Sequence, residues 1–250
     1  MNLDKRKYKE DIVVKIIFIR HAEPDYSIDS LTEKGWREAE ILSERVKNWK
    51  VDRFFVSPMG RAKDTASLSL KKCEREVEEL PWLQEFYYRV KSPFNGEDII
   101  AWDFMPSYFS KQEDLHDKNK WYETEIMKSG DMGEHYREVC EGFDAILKEY
   151  GYEREEGGMY RVKESSDATL VFFCHLGVSF VIMSHLLGIA PPVLWQGFFV
   201  APTAVTVLGC EERTKGEAAF RVQIMGDTRH LSEAGEPISA SGYFTDTFQL

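Results

Sequence analysis

Two segments of the chain set a histidine directly behind a run of apolar residues. Ile16 to Ile19 is followed by Arg20-His21, and Leu170 to Cys174 is followed by His175. In an open α/β sheet ligands bind beyond the carboxyl ends of the strands, so residues at those positions are placed to do chemistry. If the two strands are neighbours, both imidazoles face one pocket. A third feature is Arg61, which follows Ser57-Pro58 at the start of a segment with helical spacing. A cation there opposes the positive end of the helix dipole, and an anion compensates it. Phosphate suits such a place, because backbone N–H groups and a guanidinium fork both match its oxygens.

These residues need a scaffold, and hydrophobic periodicity outlines one. Ile12 to Ile19 is rich in β-branched residues with little alternation, the pattern of a central strand buried on both faces. In LTEKGWREAEILSERVKNW, Thr32 is placed as an N-cap and Trp36, Ala39, Leu42, Val46 and Trp49 recur at helical spacing. Arg53 to Val56 reads as a second strand, and a second helix follows with Ser57 as cap and Pro58 at its first position. The alternation returns late: ATLVFFC is a strand, Gly177 to Leu187 a helix, and TAVTVLGC and FRVQIMG are strands. Together they predict a three-layer α/β/α sandwich around a mostly parallel sheet. Between the halves, at about residues 90–165, strands are scarce. Tyr136, Val139, Cys140, Phe143, Leu147 and Tyr150 there mark an amphipathic helix, so the region reads as a mostly helical insertion. The polar, glycine-bearing stretch EYGYEREEGGMYRVKESSD near its end reads as a surface loop.

Composition narrows the partners. The 250 residues are 43% hydrophobic, which suits one sizeable core or a domain with a large insertion. No apolar segment is long enough to cross a bilayer, and Lys15 interrupts the run that a signal peptide would keep apolar, so a cytoplasmic protein without membrane contact is expected. Four cysteines without CxxC spacing form neither a disulfide framework nor a zinc site, and reduced, mostly packed thiols are expected. With 32 basic and 43 acidic residues the net charge is −11, which repels polyanions and argues against nucleic acid. A small anionic ligand requires basic residues concentrated locally.

Taken in order, Arg20-His21-Ala22-Glu23, Leu31-Thr32-Glu33-Lys34-Gly35, Ser57-Pro58 with Arg61-Ala62 and Thr65-Ala66, and His175 behind its strand resemble the histidine phosphatase superfamily, with its phosphoglycerate mutase-like fold. The resemblance is carried by the first seventy or so residues and by Leu170 to Gly177, and it is absent through most of the insertion. It implies one such domain over residues 1–250, with the insertion as a lid. It further implies a histidine nucleophile, a second histidine, two phosphate-binding arginines and an acid shortly after the second helix. His21 then attacks phosphorus as a neutral imidazole, kept unprotonated by Arg20 and Arg61, and a phosphohistidine forms. Arg20, Arg61 and His175 surround the equatorial oxygens, while Glu85 protonates the leaving alkoxide and then activates water. Glu78 and Glu79 are rivals for that acid, and Glu134 is a further candidate. No metal and no cofactor are implied. His116, His135, His185 and His230 show no HxxxH or HxH spacing and read as structural or solvated.

Departures from the family pattern bear on specificity. Many relatives read Arg-His-Gly-Glu-Thr, with a phosphate-binding asparagine three positions after the threonine; here Ala22, Pro24 and Ser27 stand at those positions. Ser27, and Thr203 in APTAVT, are candidate substrate ligands through their hydroxyls. Glu97 to Lys128 carries eight acids and four lysines among six aromatic residues, without the paired arginines and lysine-rich loop of a phosphoglycerate mutase. A metal-independent phosphomonoesterase for a small phosphorylated metabolite is the expected function, as a monomer or homodimer. Three alternatives stay open: a mutase-type phosphotransferase, a catalytically weak phosphate-binding or regulatory protein, and a phosphoprotein phosphatase.

Overall fold

The computed structural model describes residues 13–243 and 245–249. Strand β1 (Lys15–Arg20) is followed by a two-stranded ribbon of β2 (Pro24–Asp25) and β3 (Ser30–Leu31), helix α1 (Glu33–Val46), strand β4 (Arg53–Val56), helix α2 (Gly60–Cys73) and strand β5 (Glu78–Glu79). A second ribbon, β6 (Arg89–Lys91) with β7 (Asp98–Ile100), leads to the short helices α3 (Pro106–Phe109), α4 (Glu113–His116) and α5 (Glu125–Lys128) and the long α6 (Met132–Glu149). Strands β8 (Tyr152–Arg154), β9 (Tyr160–Val162) and β10 (Thr169–Cys174) come next, then α7 (Leu176–Leu187), α8 (Pro191–Gly197), β11 (Val205–Thr214), β12 (Glu217–Asp227) and α9 (Arg229–Glu233).

Eight of these strands form one sheet in the order β5-β4-β10-β1-β11-β12-β9-β8. The parallel core is β5, β4, β10 and β1; from β1 outward every pairing is antiparallel. β1 sits between β10 and β11, which is why its residues after Lys15 are buried on both faces. Alternation still sorts them: Ile16 and Phe18 join the core under α6 and α7, and Ile17 and Ile19 join the core under α1 and α2. The result is the expected three-layer α/β/α arrangement. Of the first strand as read from sequence, Ile12 lies outside the described residues.

Helix ends differ from the sequence reading in instructive ways. Thr32 caps α1 as expected, accepting the Gly35 N–H at 3.0 Å, but the helix stops at Val46. Trp36 is 39% exposed, so the buried stripe runs through Gly35, Ala39, Leu42 and Val46. Helix α2 begins at Gly60, not behind Ser57. Its first N–H donates at 2.7 Å to the Asp29 carboxylate of the β2–β3 turn, so a residue distant in sequence provides the cap expected of Ser57.

The stretch read as a surface loop contains β8 and β9, which extend the main sheet beyond β12. Tyr152 and Tyr160 are both fully buried and pack on Phe220, with ring centroids 6.5 and 5.3 Å away. Two large aromatic rings outweigh the polar composition around them. All four cysteines are free thiols, and Cys140, Cys174 and Cys210 are buried. Among the described residues no helix is long and apolar enough to cross a membrane.

Candidate active site

Register brings the two histidines together. Arg20 pairs with Cys174, and Phe173 with Val56, so β1, β10 and β4 end at one level of the sheet. The residues just past these ends are His21, His175 and Ser57. The ladder continues into them, with the His21 N–H donating to Cys174 O at 2.9 Å and the Ser57 N–H to Phe173 O at 3.0 Å. The next N–H, of Ala22, donates to Thr65 Oγ1 at 2.9 Å, so the backbone around His21 is held from two sides. The imidazole centroids lie 5.1 Å apart, and the residues are 2% and 0% exposed.

Hydrogen bonding assigns the His21 tautomer. Nδ1 lies 2.7 Å from Ala22 O, and a carbonyl oxygen only accepts, so Nδ1 carries the proton. Nε2 then keeps its lone pair. Burial, and next the Arg20 and Arg61 charges, hold the His21 pKa well below the usual imidazole range. His175 is lowered by burial first, then by His21 and the same arginines. Its Nε2 contacts Ser57 Oγ at 2.7 Å. Both rings are therefore neutral at physiological pH.

Two cations flank them. Arg20, 6% exposed, donates from Nη1 to Val200 O at 2.8 Å and lies 5.6 Å from the Phe199 ring centroid. Arg61, 5% exposed, pairs with Asp29 at 2.6 Å and lies 5.4 Å from the Tyr26 ring. Among the described residues the Nε atoms of both arginines and Nδ1 of His175 are buried without a hydrogen-bond partner. A buried donor left unmatched costs about 1–3 kcal/mol, and an anion with several acceptor oxygens answers the arginine donors.

Glu85 occupies the third side. It follows the single turn Pro81–Leu83, and its carboxylate accepts the Phe86 N–H at 2.7 Å, the Val178 N–H at 3.0 Å and the Gly177 N–H at 3.3 Å. The last two are free N–H groups of the first turn of α7, directly behind His175. Gly177 makes this approach possible, since a Cβ there would lie 2.7 Å from Glu85 Oε1 and 3.0 Å from Trp102 Nε1. The rival acids are engaged elsewhere. Glu79 pairs with Lys63 at 2.6 Å, Glu78 pairs with Arg53, and Glu134 lines a separate cleft of about 390 Å³ with Tyr122 and Arg137.

Two candidate ligands are not brought to this cluster. Ser27 is exposed, and its hydroxyl donates to Asp25 in the β2–β3 turn. Thr203 is buried with φ 58°, and its hydroxyl donates to Pro202 O at 2.7 Å. Its N–H instead donates to the carbonyls of Arg20 and His21, at 3.1 and 3.3 Å, so Thr203 acts on the backbone around His21. Sequence reasoning missed Asp29, the partner of Arg61. Nothing in the spacing of YSIDS separates it from an ordinary turn acid, although Asp29 takes a positive φ of 48°, which aspartate tolerates. Ser57 was read as a helix cap and is a partner of His175. Among the described residues no three His, Cys, Asp or Glu side chains are grouped to hold a metal ion.

A neutral imidazole with an available Nε2, two buried guanidiniums and a nearby carboxylate can attack a phosphorus centre and hold its oxygens. The model of the histidine phosphatase superfamily (branch 1) matches residues 16–222, and the chain belongs to that superfamily. It is 24% identical over 196 residues to the adenosylcobalamin/alpha-ribazole phosphatase of Salmonella typhi, covering 73% of this chain and 84% of that protein. A local match of 34% over 71 residues, 36% of that protein, relates it to a 2,3-bisphosphoglycerate-dependent phosphoglycerate mutase of Thermoplasma acidophilum. Among solved structures, a mycobacterial glucosyl-3-phosphoglycerate phosphatase superposes with TM-score 0.56 at 16% identity, covering 86% of this chain and all of that one. A phosphoserine phosphatase of Entamoeba histolytica gives 0.55 at 16%, covering 87% and 99%.

Proposed function

We propose that the protein is a phosphomonoesterase that hydrolyses a small organic phosphate through a phosphohistidine on His21. The observation that carries this reading is the Nδ1 contact of His21 with Ala22 O, which leaves Nε2 as a neutral nucleophile between two guanidiniums. The Nε2 lone pair forms the N–P bond as the ester P–O bond breaks, and the departing oxygen takes a proton from Glu85. Water then attacks phosphorus, gives a proton back to Glu85, and the N–P bond breaks. Arg20, Arg61 and His175 hold the three remaining oxygens, where preorganised charge supplies most of the acceleration. Trp102, from the insertion, stands beside Glu85, and we read the insertion as the lid over the leaving group. Relatives named as phosphatases of small phosphates support the same class.

Similarity to a phosphoglycerate mutase favours a second reading, a phosphotransferase. One experiment separates them. With a phosphoglycerate and with an alkyl phosphate, the hydrolase releases inorganic phosphate, and acid-labile phosphate appears on wild-type protein and not on His21→Ala. Isomerised phosphoglycerate without phosphate release identifies the mutase. Equal rates for wild type and His21→Ala would refute both.

A further inference from the structure

Four aromatic side chains border the cluster, and they come from four separate segments. Tyr26 of the β2–β3 turn lies over Arg61 and is 66% exposed. Trp102 of the insertion borders Glu85, its indole N–H donating to Phe86 O at 2.9 Å. Phe199, after α8, lies against Arg20 and stacks on Tyr243 with centroids 4.5 Å apart and planes at 19°. Tyr243 belongs to the segment behind α9, which is tied to the body of the protein. Ser239 Oγ donates to Glu23 at 2.6 Å, and Glu236 pairs with Lys34 at 2.9 Å. The segment passes close enough to Arg20 that a Cβ at Gly242 would lie 2.8 Å from its Nη2. Gly242 thus brings the segment beside the first-strand arginine, and Tyr243 meets Phe199, the ring that lies against it.

Charge points the same way. The cations that act on His21 are Arg20 and Arg61, and the same two act on His175. Both are needed for the transferred phosphoryl group, and among the described residues no third cation acts on either imidazole to serve a carboxylate or second phosphate on the leaving group. Flat π-faces beside such a centre favour a flat, uncharged leaving group by offset stacking.

We propose that the substrate's leaving group is planar and uncharged, aryl or heteroaryl in character, and that Phe199 and Tyr243 form the face it packs against. This rests on the reading of the site as a phosphatase, and binding and turnover are measured separately so that either can fail alone. The probes are phosphonates, which bind without transfer: 2-phenylethylphosphonate, propylphosphonate and phosphonopropionate, titrated by calorimetry into wild type, Phe199→Leu, Phe199→Ala and Tyr243→Ala. Wild type is expected to bind the phenyl probe at least about fivefold more tightly than the other two. Tyr243→Ala and Phe199→Ala are expected to weaken the phenyl probe by about fivefold and propylphosphonate by less than about twofold, an aromatic-pair effect. Phe199→Leu preserves bulk, and its loss for the phenyl probe alone separates stacking from collapse of the site. Tighter binding of phosphonopropionate, or equal weakening of all three probes, overturns the proposal. Turnover of 2-phenylethyl phosphate and 3-phosphoglycerate, both alkyl esters, tests the phosphatase reading: if neither is hydrolysed while the phenyl preference stands, that reading alone fails.

Discussion

His230, assigned no chemistry from sequence, offers a test of how the structure behaves in acid. It is 4% exposed, and its bonds define its tautomer. Arg45 can only donate, so Nδ1 of His230 accepts from its Nη1 at 3.2 Å, and Nε2–H donates to Thr203 Oγ1 at 3.1 Å. Burial, and next the Arg45 charge, lower its pKa to about 4, with Asp227 opposing them. In the unfolded chain the ring titrates near the ordinary value of about 6.5. Between these values the unfolded chain binds a proton that the folded chain refuses, so stability falls as pH falls through this window. The gap corresponds to about 3 kcal/mol, of which about 2 kcal/mol is lost between about pH 7.5 and about pH 5. Urea unfolding of wild type and His230→Gln at these two pH values measures it. The variant lacks the titrating ring, so its loss on acidification should be smaller than that of wild type by about 2 kcal/mol. His21→Gln and His175→Gln should reduce the loss in the same direction, because both native imidazoles are also held neutral. An identical loss in wild type and His230→Gln would show that His230 is solvated and that the Arg45–His230–Thr203 chain does not form.

Replacing Arg20 or Arg61 by Ala should lower kcat by about a hundredfold or more with circular dichroism unchanged, as when one preorganised donor is removed; near wild-type kinetics would mean the phosphate pocket lies elsewhere. Asp29→Ala should cost less in kcat than Arg61→Ala, because the guanidinium remains while its anchor and the α2 cap at Gly60 are lost; equal defects would make Asp29 a reacting group. Gly177→Ala should reduce kcat by about tenfold or more, since the added Cβ collides with Glu85 Oε1 and displaces the carboxylate; unchanged turnover would remove Glu85 from the proton-transfer role. Activity should persist in EDTA, because the two arginines provide the positive charge; loss restored by added Mg²⁺ or Zn²⁺ would contradict this assignment.

Much of this architecture was readable from local pattern. A β-branched run ending on a histidine is short-range information, and two such runs sufficed to place His21 and His175 at strand ends; that the two strands are neighbours comes from the sheet pairing. Arg61 could be read from its place behind Ser57-Pro58. What escaped the sequence depends on partners far apart in the chain. Asp29 caps a helix that starts 31 residues later, and Ser239 meets Glu23 across 216 residues. Thr203, read as a substrate ligand through its hydroxyl, turns that hydroxyl to Pro202 O, a direction tied to a backbone φ of 58° that no spacing discloses. The β8–β9 hairpin was hidden for another reason: only three residues in each strand carry its pairing, too few for alternation to register, and burial of Tyr152 and Tyr160 decides it.

A net charge of −11 and an anionic ligand are reconciled by burial. Surface charges more than about 8 Å away are largely screened at physiological ionic strength, whereas a guanidinium in a poorly solvated pocket acts through a much lower effective dielectric. Among the described residues Arg20 forms no ion pair, while Arg61 is matched by Asp29, whose side chain is 46% exposed. Inside an acidic molecule the Arg20 guanidinium therefore keeps its charge free of a direct carboxylate partner and open to an anionic ligand. The same desolvation keeps the two imidazoles unprotonated, since a cation in either ring would face the arginines at close range. In the proposed reaction, concentrating charge for the phosphoryl oxygens and keeping the His21 lone pair available thus have one physical cause. That cause is in turn a product of the fold: strands β1 and β10, buried on both sides, end at the same level and deliver Arg20, His21 and His175 to a place where water does not compete.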